Sequence, residues 1–283
     1  MSNNIRVKYR TWHTGKPPRP VKLQIPGWAG KDHTHSNGSE AQPWHCQPFV
    51  EGSTYGLELV YPFETECHVY MKDGKVFFDG DFTEESKKIK DATVVFPPFG
   101  SFADGHFGMT SCLDIQVPED MILRLEPHPR FYTDLTYTCP LLVCGHLQTS
   151  WWPKIFFVVF KNPAEGQKYI FKQGEPYGQV LILPKKITYD VKEMEPAEKF
   201  SRGMQDKIIG DHAREIAGNK WVSDRGDKFD DKYKKLSTLA TKHGCPYVGQ
   251  YLEKEKSEVK RKIKRKLIKK NENKTIQTKK NKP

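Results

Sequence analysis

The chain lacks several features that would place it in a membrane or in an oxidising compartment. It has no continuous apolar run of about 18 residues, the length that a membrane-spanning helix needs. Its first residues, MSNNIRVKYR, lack the apolar core of a secretory signal peptide. The six cysteines include no C-x-x-C pair, so neither a zinc ribbon nor a dithiol redox site is indicated. We therefore expect a cytoplasmic protein with reduced thiols and no membrane contact.

Excess charge is absent from most of the chain and is concentrated at its C-terminal end. The segment 253–283 contains 14 Lys and Arg residues against 4 Glu, which leaves a net charge of only +1 for the remainder. This segment has no aromatic residues and so no surface for base stacking. A contact with nucleic acid through 253–283 is therefore expected to be weak and electrostatic. The alternative is a solvated tail without a partner.

Long helical patterns are also missing from the central part of the chain. The segment 54–82 alternates apolar and polar residues and places Asp73-Gly74 between two apolar runs, which indicates a β-hairpin. Short apolar runs separated by turn residues predict further strands at 93–96, 113–117, 121–126, 140–144, 155–161, 169–172, 178–183 and 187–193. This spacing predicts a mainly β, antiparallel domain over residues 21–195, with β-clip-like, sandwich or barrel topology.

The regions on either side of this domain have different patterns. Residues 1–20 are rich in proline and polar residues and predict an irregular N-terminal arm. Beyond Pro196, apolar residues recur at helical spacing, as at Phe200, Met204 and Ile208. We expect a helical segment over 196–250, which packs on the β domain or mediates assembly, and a partly disordered basic tail over 251–283.

A polar stretch near the N-terminus, GWAGKDHTHSNGSE, has the spacing of the first metal motif of the cupins. In that motif, residues at the positions of His33, His35 and Glu40 supply two imidazoles and a carboxylate to a divalent metal. The resemblance implies a metal-dependent oxygenase with iron or manganese. However, Gln47 replaces the final glycine of the motif, and no second histidine motif follows. A polar loop without metal is the alternative.

Three short segments place histidine beside aromatic and turn residues, namely 43–49, 97–109 and 126–132. If loops at one end of the sheet carry them, they form a concave aromatic site in which His128 and Arg130 hold an anion. The alternative is that these residues are corners of the core and loop anchors. The predicted ligand contacts from these segments are Trp44, Asp104, His106, His128 and Arg130.

The segment 145–184 resembles the third and fourth motifs of the trimeric dUTP pyrophosphatases and their β-clip relatives. Gln148 stands where that family has its water-activating aspartate, and Trp151 replaces the tyrosine that stacks on the sugar. Gln179 matches a glutamine of the fourth motif. Because an amide cannot accept a proton from water, the resemblance implies ligand contacts by Gln148 and Trp151 without hydrolysis.

The order of motifs between residues 43 and 245 resembles an uncharacterised bacterial and phage family of unknown function. The shared pattern is an HFG segment, an R-x-x-P corner, G-x-x-x-T-x-W, and then GEP before an apolar strand. Members commonly have an acidic E-T-D-W sequence where this chain has QTSW over 148–151. The family has no established activity, so the resemblance assigns no catalytic residue.

Taken together, these patterns predict a non-enzymatic binding or structural module without a resident cofactor. Its partner is expected to be a small ligand or a protein, and a phage-related, homo-oligomeric module fits the resemblance. Two alternatives are kept. The first is a metal-dependent oxygenase that uses His33, His35 and Glu40. The second is a degenerate, dUTPase-like nucleotide-binding protein.

Overall fold

The computed structural model describes residues 4–23, 34, 36–40, 42–88, 98–212 and 218–243. The chain divides into two compact units, one built from the ranges 1–31 and 48–189 and the other from 32–47 and 190–283. Within the described ranges, the helices are too short or too polar to span a bilayer. The first unit contains the β-structure that the sequence predicts, and the second contains most of the helical residues.

Antiparallel strands form the first unit. They are β1 (Lys8–Thr11), β2 (Arg19–Pro20), β3 (Leu57–Val60), β4 (Cys67–Lys72), β5 (Lys75–Asp79), β6 (Phe99–Ala103), β7 (His106–Thr110), β8 (Leu113–Gln116), β9 (Met121–Glu126), β10 (Gly145–Leu147), β11 (Phe157–Lys161), β12 (Lys168–Phe171) and β13 (Pro176–Pro184).

These strands form several separate sheets. A five-stranded sheet has the order β10-β9-β13-β3-β2, two three-stranded sheets have the orders β11-β7-β6 and β12-β4-β5, and β1 pairs with β8. The described sheets are open, and none of them closes into a barrel. The predicted mainly β, antiparallel fold class with a C-terminal helical segment is confirmed.

Two Asp-Gly turns close hairpins in this unit. Asp73 and Gly74 join β4 to β5 with φ of 52° and 71°, the left-handed conformation that a two-residue turn requires. The predicted hairpin is therefore confirmed. Asp104 and Gly105 join β6 to β7, and Gly105 has φ of 73°. The strand pattern of the sequence does not predict this second hairpin, although the segment carries the same Asp-Gly turn signal.

Aromatic side chains dominate the core of the first unit. The fully buried ring of Phe107 on β7 stacks on Phe160 of β11, with ring centroids 5.1 Å apart. Phe171 meets the ring of Phe160 edge-on at 5.3 Å. These contacts follow from strand alternation, because Phe107 and Phe160 are register partners and point to the same face.

Some of the predicted strands differ from the structure. The segment 140–144 forms only an isolated bridge, between Leu142 and Phe160. The segment 187–193 has no strand structure, and its residues are exposed. The predicted strand at 93–96 lies outside the described residues. Within the predicted arm 1–20, the structure has strands β1 and β2.

Four α-helices and a two-stranded sheet are described outside the sheets of the first unit. Helix α1 is Gln47–Ser53, and the short helix α2 is Thr83–Lys88. In the second unit, α3 (Pro196–Asp211) begins with a capping box, in which the Glu195 N–H donates to the Glu198 carboxylate at 2.8 Å. Strands β14 (Lys220–Val222) and β15 (Lys228–Asp230) precede α4 (Lys232–His243). The predicted helical segment therefore contains a hairpin as well as helices.

Candidate functional site

A groove of about 400 Å³ lies where β1 and β8 meet the loop after β10. We call it the Trp151 groove. It brings together residues from three separate parts of the sequence and includes one of the predicted ligand contacts. Its lining consists of Lys8, Tyr9, Arg10, Asp114, Gln116, Thr149, Ser150, Trp151 and Pro153.

Arg10 holds the three parts of the groove together. Its Nε donates to Asp114 Oδ2 at 2.7 Å across the β1–β8 pair, and its Nη2 donates to the Pro153 carbonyl at 2.9 Å. The guanidinium carbon also lies 4.2 Å from the centroid of the Trp12 ring. The strand pair and the loop are thus fixed to each other by one side chain, so the groove is organised before any ligand binds.

Exposed aromatic rings form the apolar part of the groove. Trp151 is 63% exposed, and Tyr9 is 52% exposed. The Trp151 indole Nε1–H donates to Gln148 Oε1 at 3.3 Å, which positions the ring from one edge. Large rings that remain in water while being held in place offer a surface on which a planar ligand can stack.

Thr149 supplies an unused polar group at the same place. The residue is only 4% exposed, and its hydroxyl has no hydrogen-bond partner among the residues that the structure describes. Burying a hydroxyl without a partner costs about 1–3 kcal/mol. A ligand that bonds to the Thr149 hydroxyl would recover this cost, so this orphan group indicates a place for a ligand atom.

The chemistry of the groove fits binding better than proton transfer. Gln148 carries an amide, which is not a base, and this side chain is exposed and bonded to Trp151. Asp114, the carboxylate in the lining, is neutralised by Arg10 at 2.7 Å. Neither group is arranged as a general base.

Asp104, His106 and Trp44 are not among the residues that line the Trp151 groove. Asp104 and His106 occupy the tip of the β6–β7 hairpin, where His106 Nδ1 lies 2.9 Å from the Asp104 carbonyl oxygen. Trp44 belongs to the second unit, where its ring meets His45 edge-on with centroids 6.0 Å apart. The grouping of these residues in one ligand site stays a prediction.

Two of the three predicted metal ligands, His33 and His35, lie outside the described residues. Glu40 is described, and its backbone N–H donates to the Val222 carbonyl at 2.9 Å within the second unit. In the described ranges, no group of three or more metal-ligating side chains converges. The cupin-like metal site stays a prediction.

His128 and Arg130, the predicted anion ligands, have partners inside the protein. Arg130 Nη1 donates to Glu175 Oε2 at 2.8 Å, and its Nε donates to Cys139 Sγ at 3.2 Å. His128 is completely buried and lies 3.1 Å from Glu58 Oε2. These contacts link the turn 129–132 to the five-stranded sheet.

The hydrogen bonds of His128 define its protonation. Its Nδ1 accepts the Arg130 backbone N–H at 3.1 Å, so the ring proton is on Nε2 and is donated to Glu58. Burial lowers the pKa of His128, and the positive charges of Arg130 and Arg19 lower it further. The hydrogen bond and the negative charge of Glu58 raise this pKa, but by less. Burial alone raises the pKa of Glu58, but its hydrogen bonds from His128 and Arg19 outweigh this effect and lower that pKa.

Because both pKa values are lowered on folding, the unfolded chain binds protons more readily than the folded protein. The contribution of neutral His128 to the free energy of unfolding is fully present above the ordinary histidine pKa of 6.5. It is lost as the pH falls below that value. Glu58 adds a further loss of stability as the pH falls below its ordinary pKa of 4.5. We expect the free energy of unfolding, measured with urea at pH 7.5, 6.5 and 5.5, to fall steadily with acidification.

A matched pair of variants assigns this dependence to His128. His128→Gln keeps a donor and an acceptor but removes the titrating ring, so the pH dependence between 7.5 and 5.5 should become flatter. His146→Gln alters an exposed histidine on β10 and should keep the original slope. Equal slopes for the two variants would show that His128 does not carry the effect.

Sequence reasoning missed the contribution of the N-terminal residues to the groove. Lys8, Tyr9 and Arg10 fall in the segment predicted as an irregular arm, yet β1 pairs with β8 in antiparallel register. The alternation of Val7, Tyr9 and Thr11 with Lys8 and Arg10 is a strand signal that was available. This alternation covers few residues and is followed by prolines, so it was not recognised as a strand.

Comparisons with known proteins add little to this description. No family model matches the chain, and no curated protein matches it either. Among solved structures, native EIAV dUTPase is similar over 68% of this chain and 98% of that chain, with 10% identity and a TM-score of 0.31. Such a low likeness assigns neither a family nor a site. The resemblance to the uncharacterised bacterial and phage family stays a prediction.

Proposed function

We propose that this protein is a non-enzymatic binding module whose ligand occupies the Trp151 groove. The ligand would carry a planar ring and an anionic group, as a mononucleotide does. The observation that carries the proposal is the exposed, held ring of Trp151 beside the buried, unpartnered hydroxyl of Thr149. The predicted homo-oligomer, the phage association and the contact of 253–283 with nucleic acid stay predictions.

Charge and ring chemistry support this class of ligand. Lys8 and Arg10 place two positive charges in the lining against the single carboxylate of Asp114. An anionic group is therefore attracted, while the exposed ring of Trp151 stacks on the planar part. The hydroxyl of Thr149 can donate to an oxygen of the same molecule.

Replacing Trp151 by alanine is expected to weaken mononucleotide binding by about 5- to 150-fold. Stacking of a base on an aromatic side chain contributes about 1–3 kcal/mol, and about 1.4 kcal/mol corresponds to a factor of ten. Isothermal titration calorimetry with AMP, UMP and inorganic phosphate measures the effect. Phe102→Ala is the control, because Phe102 is 61% exposed in the same unit but does not line the groove.

Thr149→Val distinguishes a ligand contact from a packing role in the same assay. The substitution removes a hydroxyl that has no partner within the described ranges, so stability should be kept or raised while affinity falls. Absence of nucleotide binding, or equal weakening by Trp151→Ala and Phe102→Ala, would refute the proposal. Turnover of a nucleoside triphosphate by the purified protein would refute its non-enzymatic character.

A further inference from the structure

Two successive tryptophans are exposed at the Trp151 groove. Trp151 is 63% exposed and Trp152 is 46% exposed, and the centroids of their rings lie 5.5 Å apart at an interplanar angle of 75°. Tryptophan is highly buried on average in soluble proteins, so two adjacent exposed indoles point to a binding surface. Trp152 is outside the lining of the groove and therefore extends its aromatic surface beyond a single ring.

Free positive charge lies on the same parts of the chain. Residues 4–23 contain six Lys and Arg residues and no Asp or Glu. Arg10 and Arg19 have carboxylate partners. Lys8 lines the groove from β1, and Lys154 belongs to the loop after β10 that also supplies the two tryptophans. Both lysines are exposed, and neither forms an ion pair with a residue that the structure describes, so both can neutralise phosphate groups.

The angle between the two indoles indicates the kind of ligand. A base stacked on Trp151 and a base stacked on Trp152 cannot be parallel to each other, because the two rings are 75° apart. Adjacent bases of a duplex are parallel, whereas those of a single strand can splay apart and stack on protein rings. A mononucleotide would cover one ring and leave the other in water. Two angled rings with lysines beside them match two successive nucleotides of one strand.

We propose that the Trp151 groove and Trp152 together bind single-stranded nucleic acid. One base stacks on Trp151, the next base stacks on Trp152, and Lys8 and Lys154 neutralise phosphates of the same strand. This binding mode rests on the proposed function, because the mononucleotide proposed there becomes one unit of the strand. It differs from the contact predicted for 253–283, which has no aromatic residue and can attract only the phosphate charge.

Fluorescence polarisation with the full-length protein tests this binding mode. The probe is a fluorescein-labelled thymidine octamer, and thymidine monophosphate is the competitor. The second stacked base should make the octamer bind about 5- to 150-fold more tightly than the monophosphate, and Trp152→Ala should remove this gain. Trp152→Phe keeps a ring and should retain most of the affinity. Phe102→Ala is the control, because Phe102 is exposed in the same unit but does not line the groove.

The salt dependence of octamer binding measures the number of phosphates that the lysines neutralise. For a single strand, each neutralised phosphate contributes about −0.7 to the slope of the logarithm of the association constant against the logarithm of the salt concentration. Lys8→Met and Lys154→Met should therefore each reduce the slope by about 0.7. Lys75→Met changes an exposed lysine of β5 outside the groove and should keep the original slope. Slopes that are equal in all three variants would contradict the assigned phosphate contacts.

Probes without free bases separate stacking from charge attraction. An abasic octamer keeps the phosphates and should bind at least about fivefold more weakly than the thymidine octamer. A DNA duplex can bind through charge alone, so its affinity should be the same for Trp152→Ala and the unaltered protein. Equal binding of the abasic and thymidine octamers overturns the proposal, and so does weaker duplex binding by Trp152→Ala. Circular dichroism of each variant confirms that the fold is retained.

The same titrations distinguish this proposal from the proposed function. Binding of thymidine monophosphate that depends on Trp151, without tighter binding of the octamer, overturns the single-strand mode and supports the mononucleotide site. An equal affinity of Trp152→Ala and Phe102→Ala for the octamer has the same meaning. Absence of binding by both the octamer and the monophosphate overturns both proposals.

Discussion

Replacing Arg19 by methionine is expected to lower the free energy of unfolding by about 3–5 kcal/mol, the cost of leaving a buried charge without its partner. The Glu58 carboxylate is completely inaccessible to solvent, while the Arg19 side chain that bonds to it is 45% exposed. Methionine keeps the aliphatic packing of Arg19 but removes the positive charge. Among the residues that the structure describes, Glu58 would then keep His128 and the Lys22 N–H as partners, at 3.1 and 3.4 Å.

Urea denaturation of two further variants isolates the buried charge. Arg10→Met breaks a comparable pair, but the Asp114 side chain is 11% exposed rather than fully buried, so the loss should be smaller. The double variant Arg19→Met with Glu58→Gln has no charge at position 58 and should recover most of the stability. An Arg19→Met loss no larger than that of Arg10→Met would contradict this account of Glu58.

Replacing Phe107 by alanine is expected to cost about 3–5 kcal/mol as well, through the cavity that it leaves in a closely packed core. The Phe107 ring is completely buried and lies within 6.4 Å of the rings of Phe99, Phe160 and Phe171. These rings come from four different strands, so the neighbours cannot all move inward together to fill the space.

The control for Phe107 lies in the same hairpin. Phe102 on β6 is 61% exposed, so Phe102→Ala should change the free energy of unfolding by less than about 1 kcal/mol. Denaturation curves followed by circular dichroism compare the two variants directly. A similar loss for Phe102→Ala and Phe107→Ala would mean that burial of the ring does not determine the effect.

Local signals in the sequence were sufficient for much of the fold. The Asp73-Gly74 turn, the strand Met121–Glu126 and the start of α3 at Pro196 all depend on neighbouring residues, and each was predicted. The β6–β7 hairpin has an equally local Asp104-Gly105 signal. The aromatic residues and the histidine of this segment favour a ligand-binding loop when the sequence is considered alone, so the hairpin was not predicted.

Residues that depend on distant partners were not predictable in the same way. His128 lies 70 residues from Glu58 in the sequence, and nothing beside it indicates that it is buried and neutral. The Trp151 groove combines β1, β8 and the loop after β10, and only the tertiary pairing of Arg10 with Asp114 and Pro153 brings them together. The sequence indicated Trp151 as a contact but not its neighbours.

The five described cysteines affect how any self-association should be measured. Cys67 and Cys112 are buried, and burial raises the pKa of each to about 12, so these two thiols remain protonated and unreactive. Cys46 and Cys144 are exposed, one in each unit. In air, exposed thiols on separate molecules can form covalent cross-links. A dimer on a sizing column is therefore informative only if it persists with reducing agent.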